Sequence, residues 1–221
     1  DFAIEIFVRN GLIGFTLFGG GSRLLNKISD FEICHAFHHL QVVDLSSTTF
    51  RSEHEFLLRA TSPARFFERH YFWSGSGSTD EILPELVCEV DVWGHPKQRI
   101  HGPLIVENRK RIMLVDLGRT LNPGDETVVR IRHKMKDLGG TFNNRLGIVP
   151  SGNLPRLTKL SVDLPEQLAN DVFFDTCVHE SDQSVDVSKL QPTSVSDGRA
   201  IFQVPEFSPV ASMAYRLRWL S

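Results

Sequence analysis

The sequence predicts a mainly β protein, an antiparallel β-sandwich or distorted barrel with one helical segment near residues 22–40. Two observations carry this. Short segments rich in Val, Ile, Phe, Tyr and Trp recur along most of the chain, punctuated by Gly, Pro, Asn and Asp clusters. Helical periodicity is confined to one stretch of any length, so the crossover helices that parallel βαβ units need are too few, and antiparallel pairing is favoured.

The first two strand candidates are Phe2–Val8 and Leu12–Phe18. Gly11 to Phe18, the longest apolar stretch near the start, falls far short of a bilayer span and lacks a basic n-region or cleavage site. The helical segment follows. Ser22 can cap it, and Leu24, Leu25, Ile28, Phe31 and Cys34 or His35 recur every three to four residues, giving one helix or two broken near Asp30. Strand candidates resume at Glu55–Ala60, Glu68–Ser74, Leu86–Trp93, Arg99–Glu107, Arg111–Leu117 and Thr127–Lys136. Between the last two, Asn122-Pro-Gly-Asp125 places Pro and Gly at the two centres of a type II turn, which predicts a hairpin.

Leu157–Leu164 alternates Leu160, Val162 and Leu164 against Lys159, Ser161 and Asp163, as a half-buried strand does. Pro165 can open a short helical turn through Leu168. Asp171–His179, Ala200–Val204 and Ala214–Leu220 complete the set, the last alternating Tyr215, Leu217 and Trp219 with Arg216 and Arg218. Ser74–Thr79 reads as a flexible linker, and the polar stretch Ser181–Gly198 reads as loop.

Across 221 residues, 41% apolar and 23% charged composition is that of a folded chain, read as one β-rich domain over 1–221 with a candidate subdivision into 1–50 and 51–221. The start at Asp1 within a strand-like segment suggests a piece of a longer polypeptide. With 24 Lys+Arg against 27 Asp+Glu, the net charge of −3 argues against a surface built to grip nucleic acid or anionic lipid. Cys34, Cys88 and Cys177 are widely spaced and odd in number, so they read as reduced; no Asn-x-Ser/Thr acceptor occurs, and the expected address is cytoplasmic.

Three constellations could carry chemistry. His35, His38 and His39 with Cys34 supply metal-ligating groups, and on a helix His35 would share a face with His38 or His39. Zinc is the candidate ion, with the distant Cys177-Val-His179 as further ligands. Without HExxH or a local third ligand, the leading expectation is no cofactor. Gly19–Arg23 sits where a phosphate could meet a helix N-terminus, yet it has neither a P-loop ending nor GxGxxG, and it reads as a connection. Period two places Arg130, Arg132, Lys134 and Lys136 on one strand face, opposite Val129, Ile131, His133 and Met135. Together with Arg109 and Arg111, and with Arg216 and Arg218, that row could form a surface for a small anionic ligand. Sixteen Phe against two Tyr and three Trp point to cores rather than stacking platforms.

The run from Tyr71-Phe-Trp-Ser-Gly75 through Leu121-Asn-Pro-Gly to Tyr215-Arg-Leu-Arg-Trp219 resembles uncharacterised β-rich modules at the ends of bacterial multidomain signalling or defence proteins. The resemblance covers residues 50–221 and implies a module that senses, docks or oligomerises while another domain acts. The expected function is therefore a non-catalytic recognition, regulatory or oligomerisation module of an intracellular protein. Its expected partners are other protein domains or subunits, with no membrane and no nucleic acid. A small-anion or nucleotide sensor and a metal-dependent hydrolase built on the His/Cys cluster are the alternatives.

Overall fold

The computed structural model describes residues 30–44, 49–72, 85–107, 110–137, 144–148, 153–178 and 184–220. The chain is mainly β, as its sequence predicts. Among the described residues, fourteen strands form three open sheets: β1 (Phe31–Asp44), β2 (Thr49–Ala60), β3 (Ala64–Phe72), β4 (Glu85–Leu86), β5 (Arg99–Glu107), β6 (Lys110–Leu121), β7 (Glu126–Lys136), β8 (Arg145–Ile148), β9 (Leu157–Pro165), β10 (Val172–Val178), β11 (Ser184–Lys189), β12 (Ser194–Ser196), β13 (Arg199–Gln203) and β14 (Met213–Trp219). The large sheet runs β12-β13-β9-β1-β2-β7-β4, a second runs β11-β10-β14-β8 and a third β3-β6-β5. None closes into a barrel. All pairs are antiparallel except β1 with β9.

The architecture is two sandwiches sharing one wall. Period two on β2 sends Phe50, Phe56, Leu58 and Ala60 to one face of the large sheet, and on β7 it sends Val129, Ile131 and Met135 there. At one end of that inner face Leu40, Val42, Phe50 and Met135 pack with Leu146, Val172, Leu217 and Trp219 of the four-stranded sheet. At the other end Phe31, Ala36, Phe56, Leu58 and Ile131 pack with Phe67, Met113, Val115 and Leu121 of the three-stranded sheet. Phe56 is fully buried, in contact with Phe67 at 5.5 Å between ring centroids.

The helical segment expected near 22–40 is strand from Phe31 onward; residues 22–29 lie outside the described residues. A β-bulge at Cys34 explains the misreading. Ile33 pairs with Leu58 but His35 pairs with Leu57, so the inward positions run Phe31, Ile33, then Ala36, His38, Leu40 and Val42. The extra residue turns one step of two into a step of three, which imitates helical spacing.

The Pro-Gly turn forms as expected, with Asp125 N–H donating to Asn122 C=O at 3.0 Å and Gly124 at φ +94°. It does not close a hairpin. β6 pairs with β3 and β5, and β7 with β2 and β4, so the turn carries the chain from one sheet to the other. Gly124 N–H also bonds Ala60 C=O at 2.8 Å, which pins the turn to the end of β2.

The single stretch Ser181–Gly198, expected to be loop, holds two strands, β11 and β12, both at sheet edges and exposed along their whole lengths. The expected turn after Pro165 is a single 3₁₀ turn at Glu166–Leu168. Phe2–Val8, Leu12–Phe18, the Gly19–Arg23 connection and the Ser74–Thr79 linker lie outside the described residues. Among the described residues no helix is long and apolar enough to cross a membrane. All three cysteines are free of disulfides.

Candidate functional site

A strand, unlike a helix, sends adjacent histidines to opposite faces, and β1 does so. His35 and His39 point outward with Phe37 between them, and His38 points inward. His35 Nε2 lies 3.2 Å from Glu206 Oε1, and His39 Nδ1 lies 3.1 Å from Ser161 Oγ. Among the described residues no three His, Cys, Asp or Glu side chains gather as ligands for one metal ion. The structure therefore separates the three histidines that the sequence grouped. Cys177 is buried beside Ala214 C=O, and His179 lies outside the described residues.

Inside, His38 meets His54 across β1 and β2, with their Nδ1 atoms sharing a hydrogen bond at 2.8 Å. His54 stacks on Phe56, Arg69 of β3 lies over the Phe56 ring at 5.0 Å, and His133 of β7 faces the same interior. This polar group fills the seam between the two apolar clusters. Burial holds the His38 imidazole well below its ordinary pKa, reinforced by His54, Arg69 and His35. His54 is lowered to about 3 by burial, then by Arg69, His133 and His39. Burial also lowers Arg69 to about 10. Both imidazoles are neutral at pH 7, and the positive Arg69 beside them disfavours a second cation. Strand period alone puts His133 on the inward row of β7. His54 carries no such signal, because it sits between Glu53 and Glu55 and looks like part of a solvated charge cluster.

On the outer face, Ser161, His39 and Glu53 lie in one row across β9, β1 and β2. These are the residue types of an acyl-transfer triad. Ser161 is only 1% exposed, however, and Glu53 accepts from Arg132 Nε at 2.8 Å rather than orienting the imidazole. Burial lowers the His39 pKa, partly offset by Asp163 and Glu53.

The basic row on β7 projects as period two requires, with Arg130, Arg132, Lys134 and Lys136 exposed and Ile131 fully buried. Its first two members face acids. Arg130 pairs with Glu55, and Arg132 with Glu53, each directly opposite on β2. The other arginines do not join them. Arg216 and Arg218 belong to the four-stranded sheet, where Arg216 Nε and Arg218 Nε lie 2.8 Å and 2.9 Å from the buried Asp175 carboxylate. Arg111 belongs to the three-stranded sheet, and Arg109 lies outside the described residues. The expected single basic surface is thus spread over three sheets.

The end of the expected strand Leu86–Trp93 is instead a hydrogen-bonded, exposed turn after β4. Val90 bridges to Pro96, Asp91 N–H donates to His95 C=O at 2.8 Å, and Asp91 Oδ1 accepts from the backbone N–H groups of Trp93 and His95, both at 2.8 Å. Gly94 supplies the positive φ of +82° that closes it. The backbone bond from His95, ahead of that from Trp93, helps hold the Asp91 carboxyl below the usual range. The tip presents Val92 at 92% exposure and Trp93 at 80%.

Three open sheets enclosing two apolar clusters define a mainly β protein, and the turn after β4 leaves Val92 and Trp93 exposed at one margin. No protein-family model matches the chain, and no curated protein matches it. Among solved structures, the M1 zinc metallopeptidase from Deinococcus radiodurans is similar over 86% of this chain and 42% of its own, at 12% identity and a TM-score of 0.47. A two-domain M1 zinc metallopeptidase mutant bound to L-arginine is similar over the same shares, at 12% identity and a TM-score of 0.48. The chain spans less than half the length of either structure.

Proposed function

We propose that this chain is a non-catalytic recognition module of an intracellular multidomain protein, docking other protein domains or subunits through the Val92–Trp93 tip. The observation that carries the reading is the combination of order and exposure at that tip. A large aromatic ring left in water gains nothing for folding, whereas burying one against a partner removes roughly 150–250 Å² from solvent. At about 25 cal/mol per Å² that is a gross gain of roughly 4–6 kcal/mol. Holding the backbone by Asp91 and Gly94 beforehand lowers the ordering cost of association, as an anchor residue requires. The same role is what the resemblance to bacterial signalling and defence modules implies.

The test is site-specific photo-crosslinking in cells, with the photoreactive residue at position 93 and, as control, at the exposed Arg119 of the three-stranded sheet. A discrete protein adduct from position 93, lost when Val92→Asp is added and absent from position 119, is the expected result. Equal adducts from both positions, or none from position 93, overturn the reading.

A further inference from the structure

Three rungs of the β2–β7 ladder share the outer face, and they differ in one respect. Glu55 faces Arg130 and Glu53 faces Arg132, but Arg51 faces Lys134, and Lys136 follows on the same face of β7. Like charges set directly opposite on an antiparallel pair are destabilising. Among the described residues no carboxylate pairs with Arg51, Lys134 or Lys136, although the two neighbouring rungs are matched.

Arg51 is held in place from behind. Arg199 on β13 donates through Nε to Asp163 Oδ1 at 2.8 Å, and through Nη2 to Val42 C=O at 2.7 Å. Gln41 on β1 donates through Nε2 to Asp163 Oδ2 at 2.7 Å, which turns its oxygen toward β2, where Arg51 Nη1 donates to it at 3.3 Å. Arg199, Asp163, Gln41 and Arg51 thus form one hydrogen-bonded chain across four adjacent strands. It ends on an exposed guanidinium with N–H donors to spare. The Asp163 charge is neutralised within that chain by Arg199.

We propose that Arg51, Lys134 and Lys136 form a binding site for a small phosphate-bearing anion with two or more closely spaced charges, of the oligophosphate type. Opposite residues on a ladder stand about 4.5–5.5 Å apart at Cβ, and alternate residues on one strand about 6.8 Å apart. At those spacings the long side chains of Arg51, Lys134 and Lys136 can converge on one multiply charged anion. The planar fork of Arg51 suits bidentate phosphate contact, and the two lysines add point charges. The unmatched cationic zone is short, because the next two rungs pair Glu53 with Arg132 and Glu55 with Arg130, which favours a small anion over an extended one. It uses neither the Val92–Trp93 tip nor that tip's partner.

Calorimetric titration of the full chain with inorganic triphosphate at low and at physiological salt tests this. Saturable binding that weakens with salt is expected. Lys134→Glu would complete the ladder, so it should weaken binding by at least about tenfold while raising Tm by about 1–3 °C. Lys134→Gln covers the case in which the reversal misfolds, and it should weaken binding without lowering Tm. Gln41→Ala, which changes no charge, should weaken binding several-fold by freeing Arg51. Arg119→Glu makes the same kind of charge reversal on another sheet and should leave binding unchanged. Absence of saturable binding at low salt, or equal losses in Lys134→Glu and Arg119→Glu, overturns the proposal.

Discussion

Lowering the pH from 7.5 to 5.0 should destabilise this protein through the histidine seam, and His54→Leu should remove a definable part of that effect. The folded-state pKa of His54 is lowered to about 3, against an ordinary value near 6.5. Between those values the unfolded chain binds a proton that the folded chain refuses, so stability rises with pH across the window. It is fully present above about 6.5 and is lost as pH falls. At pH 5 the loss attributable to His54 is about 1.5 units at about 1.36 kcal/mol each, or about 2 kcal/mol. His38 is shifted in the same direction by burial and by its partner. Most carboxylates titrate below pH 5, so the interval isolates the imidazoles. Urea unfolding at the two pH values measures it. The wild-type midpoint should fall on acidification, and His54→Leu should show a pH-dependent loss smaller by about 2 kcal/mol. An identical pH dependence in the variant would refute a desolvated, neutral His54.

Other sites give equally direct tests. Gly118 has φ +77°, and a Cβ there would lie 2.0 Å from the Lys97 carbonyl oxygen; Gly118→Ala should cost about 2 kcal/mol or more in urea unfolding. Asp175, 2% exposed between Arg216 and Arg218, should cost about 3–5 kcal/mol on truncation to Ala, because two guanidinium groups lose their counter-charge; the thermal midpoint reports it. Protein purified without an affinity tag should carry zinc far below one equivalent by metal analysis, since His35, His38 and His39 point to different neighbours.

The parts of the fold legible from sequence are those with one wet face and one dry face. β7 and the Tyr215–Trp219 part of β14 alternate because each covers an apolar cluster on one side, and β9 alternates in residue type although Ser161 and Asp163 are buried along with Leu160, Val162 and Leu164. β11 and β12 carry no such pattern, since edge strands exposed along their lengths have no inward residue to mark them. The bulge at Cys34 broke the period of β1, and Pro-Gly chemistry fixed a turn without saying which strands it joins. The site suffered for a related reason. Which acid faces Arg130 or Arg132 depends on the β2–β7 register, and the residues that meet, such as Glu55 and Arg130, stand 75 positions apart. Strand period showed that the cations share a face; only pairing showed that two are matched and that Lys134 meets Arg51.

Hydroxyl-radical footprinting of Trp93 tests the docking account most directly, comparing the isolated chain with the same chain recovered in its native assembly from cells. The isolated protein should oxidise rapidly at Trp93, as its 80% exposure dictates, and the assembly should show several-fold protection there with Arg119 unchanged. Equal oxidation of Trp93 in both preparations would contradict the account.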